Sequence, residues 1–261
     1  MDEKKQLIEL INSKAKMVAM VAPSFPINFQ YPQIITMLRK LGFAYVVEVS
    51  VGAKKTNEAV IAALQSDPNA RYITSPCPSF VRLVRAKYPQ LEKYLALSVD
   101  SPMIATTRIV KEQYPEHRPV FIGPCIAKKL EASQDYPDLN ILVLNYQEIA
   151  DIFKQFSITD AENKPNEVFD LAEKSTRIYP TDGGLSITAE VDKILSPEEF
   201  KIASGWKNCE TTLLEFENNP KLRFVDILFC DEGCINGPAT NKELTIEQRK
   251  QKIREYANKP E

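Results

Sequence analysis

The sequence has one histidine, His117, one tryptophan and eight glycines in 261 residues. A single histidine argues against His-rich metal sites and paired-histidine acid–base schemes. An excess of one charge is also missing. Lys and Arg number 33 and Asp and Glu 35, so net charge does not draw the chain to nucleic acid or anionic lipid. No apolar run approaches the ~20 residues of a membrane-spanning helix. The first residues, Met1-Asp2-Glu3-Lys4-Lys5, are charged and lead into no signal-peptide core. The expectation is a cytoplasmic protein with no nucleic-acid partner and no membrane association, in which disulfides are disfavoured. Its five cysteines, Cys77, Cys125, Cys209, Cys230 and Cys234, are then core packing, metal ligands or reactive thiols.

What is present is a globular composition, 44% hydrophobic and 26% charged. That excludes a disordered tail and a small disulfide scaffold, and suffices for one large domain or two lobes. Short Val/Ile-rich runs alternate with helical patterns. Strands are expected at Met17–Val21, Tyr45–Val51, Tyr72–Thr74, Val120–Ile122, Ile141–Leu144 and Val225–Phe229. They are continuously apolar rather than alternating, as strands covered on both faces are. Ile34, Leu38 and Leu41 fall on one helical face, closed by Gly42 at the C′ position. Ser196-Pro197-Glu198-Glu199 and Thr245-Ile246-Glu247-Gln248 read as capping boxes, each opening a helix. The expected fold is α/β, with two lobes of largely parallel sheet flanked by helices and the site in the crevice between them. Residues 1–261 form one such unit, with a possible lobe boundary in the more polar stretch near 146–196.

The cysteines fall in a pattern on this map. Tyr72-Ile73-Thr74-Ser75-Pro76-Cys77-Pro78, Val120-Phe121-Ile122-Gly123-Pro124-Cys125 and Val225-Asp226-Ile227-Leu228-Phe229-Cys230 each run a strand into a cysteine, and Cys234 follows four residues after Cys230. Carboxyl ends of parallel strands line a binding crevice, so four sulfurs remote in sequence can meet. One such cysteine alone is most simply a small buried hydrophobe. Four at or just past strand ends, three of them beside Pro or Gly, point to a metal. Cys209, in Trp206-Lys207-Asn208-Cys209, has no such setting and reads as core. Zinc sites usually bring ligands in Cys-x2-Cys pairs. Four thiolates without histidine, two of them from remote loops, suit a [4Fe–4S] cluster better. Lys128 and Lys129, just after Cys125, could offset its charge. A solvated Lys-Lys helix turn is the plain alternative.

Together these segments resemble the H-cluster domain of [FeFe]-hydrogenases. Thr74-Ser75-Pro76-Cys77-Pro78, Pro124-Cys125-Ile126-Ala127-Lys128-Lys129-Leu130-Glu131-Ala132 and Cys230 to Gly237 match its three signatures in order. Ala22-Pro23-Ser24, Ser101-Pro102 and Gly183-Gly184 are weaker matches. The resemblance implies that Cys77, Cys125, Cys230 and Cys234 hold a [4Fe–4S] cubane. It also implies that Cys234 bridges to a diiron subsite carrying CO, cyanide and an azadithiolate. Lys128 would hydrogen-bond one cyanide, and Ser24, with the backbone around Pro23, the other. The Gly183-Gly184 segment would face the subsite. Glu131 matches a relay carboxylate. The implied activity is interconversion of H2 with protons and electrons. Its implied partners are an external electron carrier such as ferredoxin, or a partner subunit, and the diiron maturation enzymes.

The departures are informative. Where productive members have a proton-shuttling cysteine stands Pro76, which has no transferable proton. Ala59 falls near the place of a family glutamate, Met103 ends the Ser-Pro-Gln motif, and Gly123 and Leu228 replace two methionines. No ferredoxin-like N-terminal domain is expected. The pattern is similar to the sensory branch, associated with hydrogen sensing and slow turnover. The competing readings are a [4Fe–4S] carrier or scaffold similar to cytosolic iron–sulfur assembly proteins, with no diiron subsite, and a structural cubane without a redox role.

Overall fold

A computed structural model describes residues 2–159 and 167–259. Among these, the strands are β1 (Met17–Val21), β2 (Tyr45–Glu48), β3 (Tyr72–Ile73), β4 (Arg118–Gly123), β5 (Leu142–Asn145), β6 (Phe200–Ser204) and β7 (Phe224–Leu228). The helices are α1 (Glu3–Asn12), α2 (Gln33–Lys40), α3 (Ser50–Ser66), α4 (Pro78–Lys87), α5 (Pro102–Gln113), α6 (Lys128–Leu130), α7 (Tyr146–Gln155), α8 (Gly184–Thr188), α9 (Trp206–Asn218) and α10 (Ile246–Ala257). The strands form two sheets, ordered β2-β1-β4-β5 and β3-β7-β6. Every pairing within them is parallel. The fold is therefore α/β with two parallel sheets flanked by helices.

Each sheet has its own core. Met20, Val47, Ile122 and Leu144 of the first pack with Leu38 of α2, Ile104 of α5 and Ile149 of α7. Ile73, Val225 and Ile227 of the second pack with Phe80 and Val84 of α4 and with Leu213 and Phe216 of α9. All five residues of β1 and of β7 are buried, which is why these strands carry no polar alternation. α3 crosses α5 at Gly52, where an added Cβ would lie 2.2 Å from both Pro102 O and Thr106 Oγ1. Only glycine permits that approach.

The expected strands are present, with two differences. The run at Tyr45–Val51 stops at Glu48, because Val49 already turns into α3; its N–H donates to Val21 O at 2.9 Å. The Ser196–Glu199 box opens no helix and precedes β6, which periodicity did not reveal. Glu199 does reach back, accepting from Ser196 N at 2.9 Å and from Ser196 Oγ at 2.8 Å. Its carbonyl, however, accepts from Arg223 N and Phe224 N, which starts the pairing of β6 with β7. Tertiary pairing overrides a local helix-start signal. The second box, at Thr245, is complete and opens α10. Gly42, at φ +105°, ends α2 with bonds from Gly42 N to Arg39 O and from Phe43 N to Leu38 O, a Schellman closure.

The second sheet draws β3 from the first third of the chain and β6 and β7 from the last. Residues 160–166 of the expected lobe boundary lie outside the described residues. Arg177, 1% exposed, donates to Glu48 Oε2 at 3.1 Å and to Lys259 O at 2.9 Å, and lies 4.5 Å from the Tyr256 ring centroid. This buried pair joins the end of β2, the loop leading to Tyr179 and the C-terminal helix. Among the described residues no helix is long and apolar enough to cross a membrane.

Candidate metal centre

The site lies where β3, β4 and β7 end. Cys77 sits in extended backbone as the N-cap of α4, with Pro78 at the first helical position. N–H groups of Phe80 and Phe229 are directed at its sulfur and favour the thiolate. Cys125 follows β4 after Gly123-Pro124. Cys230 follows β7, and Cys234 opens a single 3₁₀ turn behind Gly233, which holds φ +83°. An added Cβ on Gly233 would stand 2.8 Å from Pro180 O, so glycine is required at this close approach.

The four sulfurs converge. Burial pushes the Cys77 thiol up, and the neighbouring Cys125 adds to this. Burial, then Cys77 and Cys125, push Cys230 up to about 12. Burial, then the other three cysteines, push Cys234 well above its ordinary value. Every pairing among the four is thus close enough to raise a pKa. Burial and the neighbouring sulfurs favour the thiol at Cys77, Cys230 and Cys234, against a smaller opposing pull from Lys128 on Cys77 and Cys234; a metal core would displace those protons on binding. Among the described residues no three His, Cys, Asp or Glu side chains gather tightly enough to hold one metal ion. Four mutually influencing thiols are a donor set for a polynuclear iron–sulfur cluster.

Beside the cysteines is a largely apolar cavity. Ala22, Pro23, Ser24, Pro76, Met103, Cys125, Lys128, Tyr179, Pro180 and Cys234 are in its wall. Lys128 reaches it from α6 and is 8% exposed. Its ammonium stands 2.6 Å from Glu131 Oε2 and donates to Pro76 O and Ser101 Oγ, each at 3.0 Å. The contact to Glu131 is an ion pair, not an aligned hydrogen bond. Glu131, 5% exposed, faces a second cavity with Ser101, Asp135 and Tyr136. The Lys128–Glu131 pair therefore separates two cavities. Lys129 points elsewhere, pairing with Glu148 at 2.6 Å and Glu3 at 3.1 Å.

Ser24 follows β1 and is fully buried in the cavity wall, its Oγ 2.7 Å from the Tyr146 hydroxyl. Gly183 and Gly184 are not in the wall. Gly183 holds φ +70°, and an added Cβ on Gly184 would stand 2.6 Å from Ile178 O and Tyr179 O. They shape the turn that carries Tyr179 and Pro180 to the cavity. Cys209 is fully buried in α9, its thiol 3.4 Å from Leu228 O. Sequence reasoning missed Tyr146, Tyr179 and Pro180. Tyr146 is the first residue beyond β5, so the strand-end rule that found the cysteines also applies to it. The segment bearing Tyr179 has no periodicity to place it.

The model of the family "Iron only hydrogenase large subunit, C-terminal domain" matches residues 15–238. Iron hydrogenase 1 of Clostridium pasteurianum is 25% identical over 260 residues, covering 78% of this chain and 44% of that protein. A probable cytosolic Fe-S cluster assembly factor of Caenorhabditis elegans, oxy-4, is 22% identical over 275 residues, covering 84% of this chain and 60% of that protein. The chain thus spans 44% and 60% of these two relatives. A solved variant of the [FeFe]-hydrogenase HydA1 of Chlamydomonas reinhardtii shares the fold with a TM-score of 0.76 at 18% identity, over 99% of this chain and 89% of that one.

Proposed function

Because the chain belongs to the family of the iron-only hydrogenase large subunit, C-terminal domain, we propose that it is a minimal, sensory-like [FeFe]-hydrogenase that slowly interconverts H2 with protons and electrons. Cys77, Cys125, Cys230 and Cys234 would hold a [4Fe–4S] cubane, with Cys234 shared by a diiron subsite seated in the apolar cavity. When bound, such a centre supplies electron relay at the cubane and H2 chemistry at an open iron. The observation that carries this reading is the cavity itself. It adjoins Cys125 and Cys234 and contains Lys128 and Ser24, an arrangement that cubane binding alone does not call for.

The chain's own residues have separable tasks. The apolar wall excludes water. Lys128 holds a positive charge at the cavity and fixes the backbone one residue before Cys77 through Pro76 O. Pro76 presents a ring without an exchangeable proton where the active relatives' shuttle stands. A proton can instead be held at Lys128 Nζ or at Glu131 Oε2, 2.6 Å apart and open to the second cavity on the Glu131 side. That path puts no thiol beside the reacting site, which fits slow turnover. Electrons would come from an external carrier such as ferredoxin or from a partner subunit, and the diiron unit from maturation enzymes.

The similarity to oxy-4 favours a second reading, a [4Fe–4S] carrier or scaffold without the diiron unit. Infrared spectroscopy after co-expression with diiron maturation enzymes separates the two. The hydrogenase reading expects bands from iron-bound CO and cyanide. Their absence from protein holding about four irons per chain supports the scaffold.

A further inference from the structure

The Tyr146 hydroxyl donates to Ala22 O at 3.1 Å and lies 2.7 Å from Ser24 Oγ. Both side chains are fully buried. A phenol has one proton. With that proton on Ala22 O, Tyr146 offers Ser24 only a lone pair, so Ser24 donates its own proton to Tyr146. In this form Ser24 presents no donor to the cavity it lines.

A second form is available without moving a heavy atom. Ala22 O also accepts from Phe25 N at 3.0 Å, so it stays satisfied if Tyr146 turns its proton away. Tyr146 then donates to Ser24 Oγ across the same 2.7 Å, and the Ser24 proton is free to point into the cavity. One hydrogen bond is exchanged for another, so the interconversion costs little beyond the bond released at Ala22.

We infer that Tyr146 is a positioning residue that sets the polarity of the Ser24 hydroxyl, allowing Ser24 to donate to a hydrogen-bond-accepting ligand in the cavity, such as a terminal cyanide. The ring is held for this task. Tyr146 opens α7 directly after its N-cap Asn145, within the Asn145–Glu148 capping box, and its ring stands nearly perpendicular to the Phe29 ring at 5.8 Å between centroids. Burial holds the phenol protonated, well above its ordinary pKa. Donation by Ser24 to such a ligand then leaves the oxygens of Ala22, Ser24 and Tyr146 each with a partner. The ligand class rests on the reading that the cavity receives a diiron subsite; the hydroxyl pairing does not.

The test uses the cubane-bearing protein and its Tyr146→Phe, Ser24→Ala and double variants, before and after maturation. Before maturation, thermal melting tests the pairing. The double variant should melt no lower than the worse single one, whereas additive shifts overturn the pairing. After maturation, infrared bands test the positioning. Ser24→Ala should move one cyanide band and leave the other, and Tyr146→Phe should move the same band although the phenylalanine ring touches no ligand. The double variant should show no further displacement. Bands at wild-type positions in Tyr146→Phe overturn the role of Tyr146. Wild-type protein without diatomic bands overturns the diiron reading and this ligand assignment, while the melting comparison still decides the pairing.

Discussion

Replacing Lys128 by methionine keeps the length of the side chain and removes its charge. The ammonium is 2.6 Å from Glu131 Oε2 and 3.0 Å from both Pro76 O and Ser101 Oγ, and the side chains of the ion pair are 10% and 7% exposed. Lys128→Met leaves a buried carboxylate without its counter-charge, a loss of about 3–5 kcal/mol from a total stability of roughly 5–15 kcal/mol. Glu131→Gln leaves the ammonium two neutral acceptors and costs less, about 1–3 kcal/mol. The double variant buries no unpaired charge and should recover most of the first loss, a coupling of roughly 2 kcal/mol. Urea unfolding of cluster-free protein reads these differences without interference from metal release. A Lys128→Met protein within about 0.5 kcal/mol of wild type, or a double variant as unstable as the two losses summed, refutes the pairing. In matured protein the same substitution should abolish the diatomic infrared bands while leaving cubane iron in place. Loss of both together marks Lys128 as a structural residue only.

Three further outcomes follow from named contacts. Pro76→Cys places a transferable proton in the cavity wall and should raise H2 evolution of fully loaded protein ~10-fold or more; an unchanged rate places the limit at the other substituted relay positions. Asp226, 2% exposed on β7, is pushed up to about 6, chiefly by burial, although it accepts from Ser186 N at 2.9 Å. Its folded pKa lies above the unfolded value, so its ionisation penalty is absent near pH 4 and complete above pH 6, at most about 3 kcal/mol. Asp226→Asn should therefore gain stability relative to wild type as pH rises from 4.5 to 7.5, and a pH-independent difference in urea unfolding contradicts this. Gly52→Ala drives a methyl into Pro102 O at 2.2 Å and should lower stability by about 1–3 kcal/mol through the α3–α5 crossing, against the gain its helix propensity alone would give; a stabilised variant shows that the helices separate freely.

Much of the fold was legible because continuous Val/Ile runs report strands covered on both faces. Met17–Val21 is an example: it lies fully buried between β2 and β4. β6 was not legible, because Glu199 does reach back to Ser196 as at a helix start while the Glu199 carbonyl is taken by β7. The cysteines were legible for a topological reason: a parallel sheet collects strand ends, so Pro76-Cys77, Pro124-Cys125 and Phe229-Cys230 could be gathered without knowing the path between them. The sheet that Tyr72–Ile73 joins was not visible, because its partner strand is about 150 positions away. Gly183 and Gly184 are scarce glycines that serve a turn, and the cavity wall is supplied by Tyr179 and Pro180 from the same segment. Tyr146 opens the more polar stretch near 146–196 in the sequence and is core in the structure; its hydroxyl, paired with Ser24, belongs to the site.

The convergence of four thiols on one inorganic core is tested most directly by counting iron and acid-labile sulfide after anaerobic reconstitution of wild-type protein and of the Cys77→Ser, Cys125→Ser, Cys230→Ser and Cys234→Ser variants. About four of each per wild-type chain, with a marked loss in every one of the four variants and none in Cys209→Ser, is the expected result. A wild-type chain that retains a single metal ion, or none, or variants that keep the full complement, contradicts it.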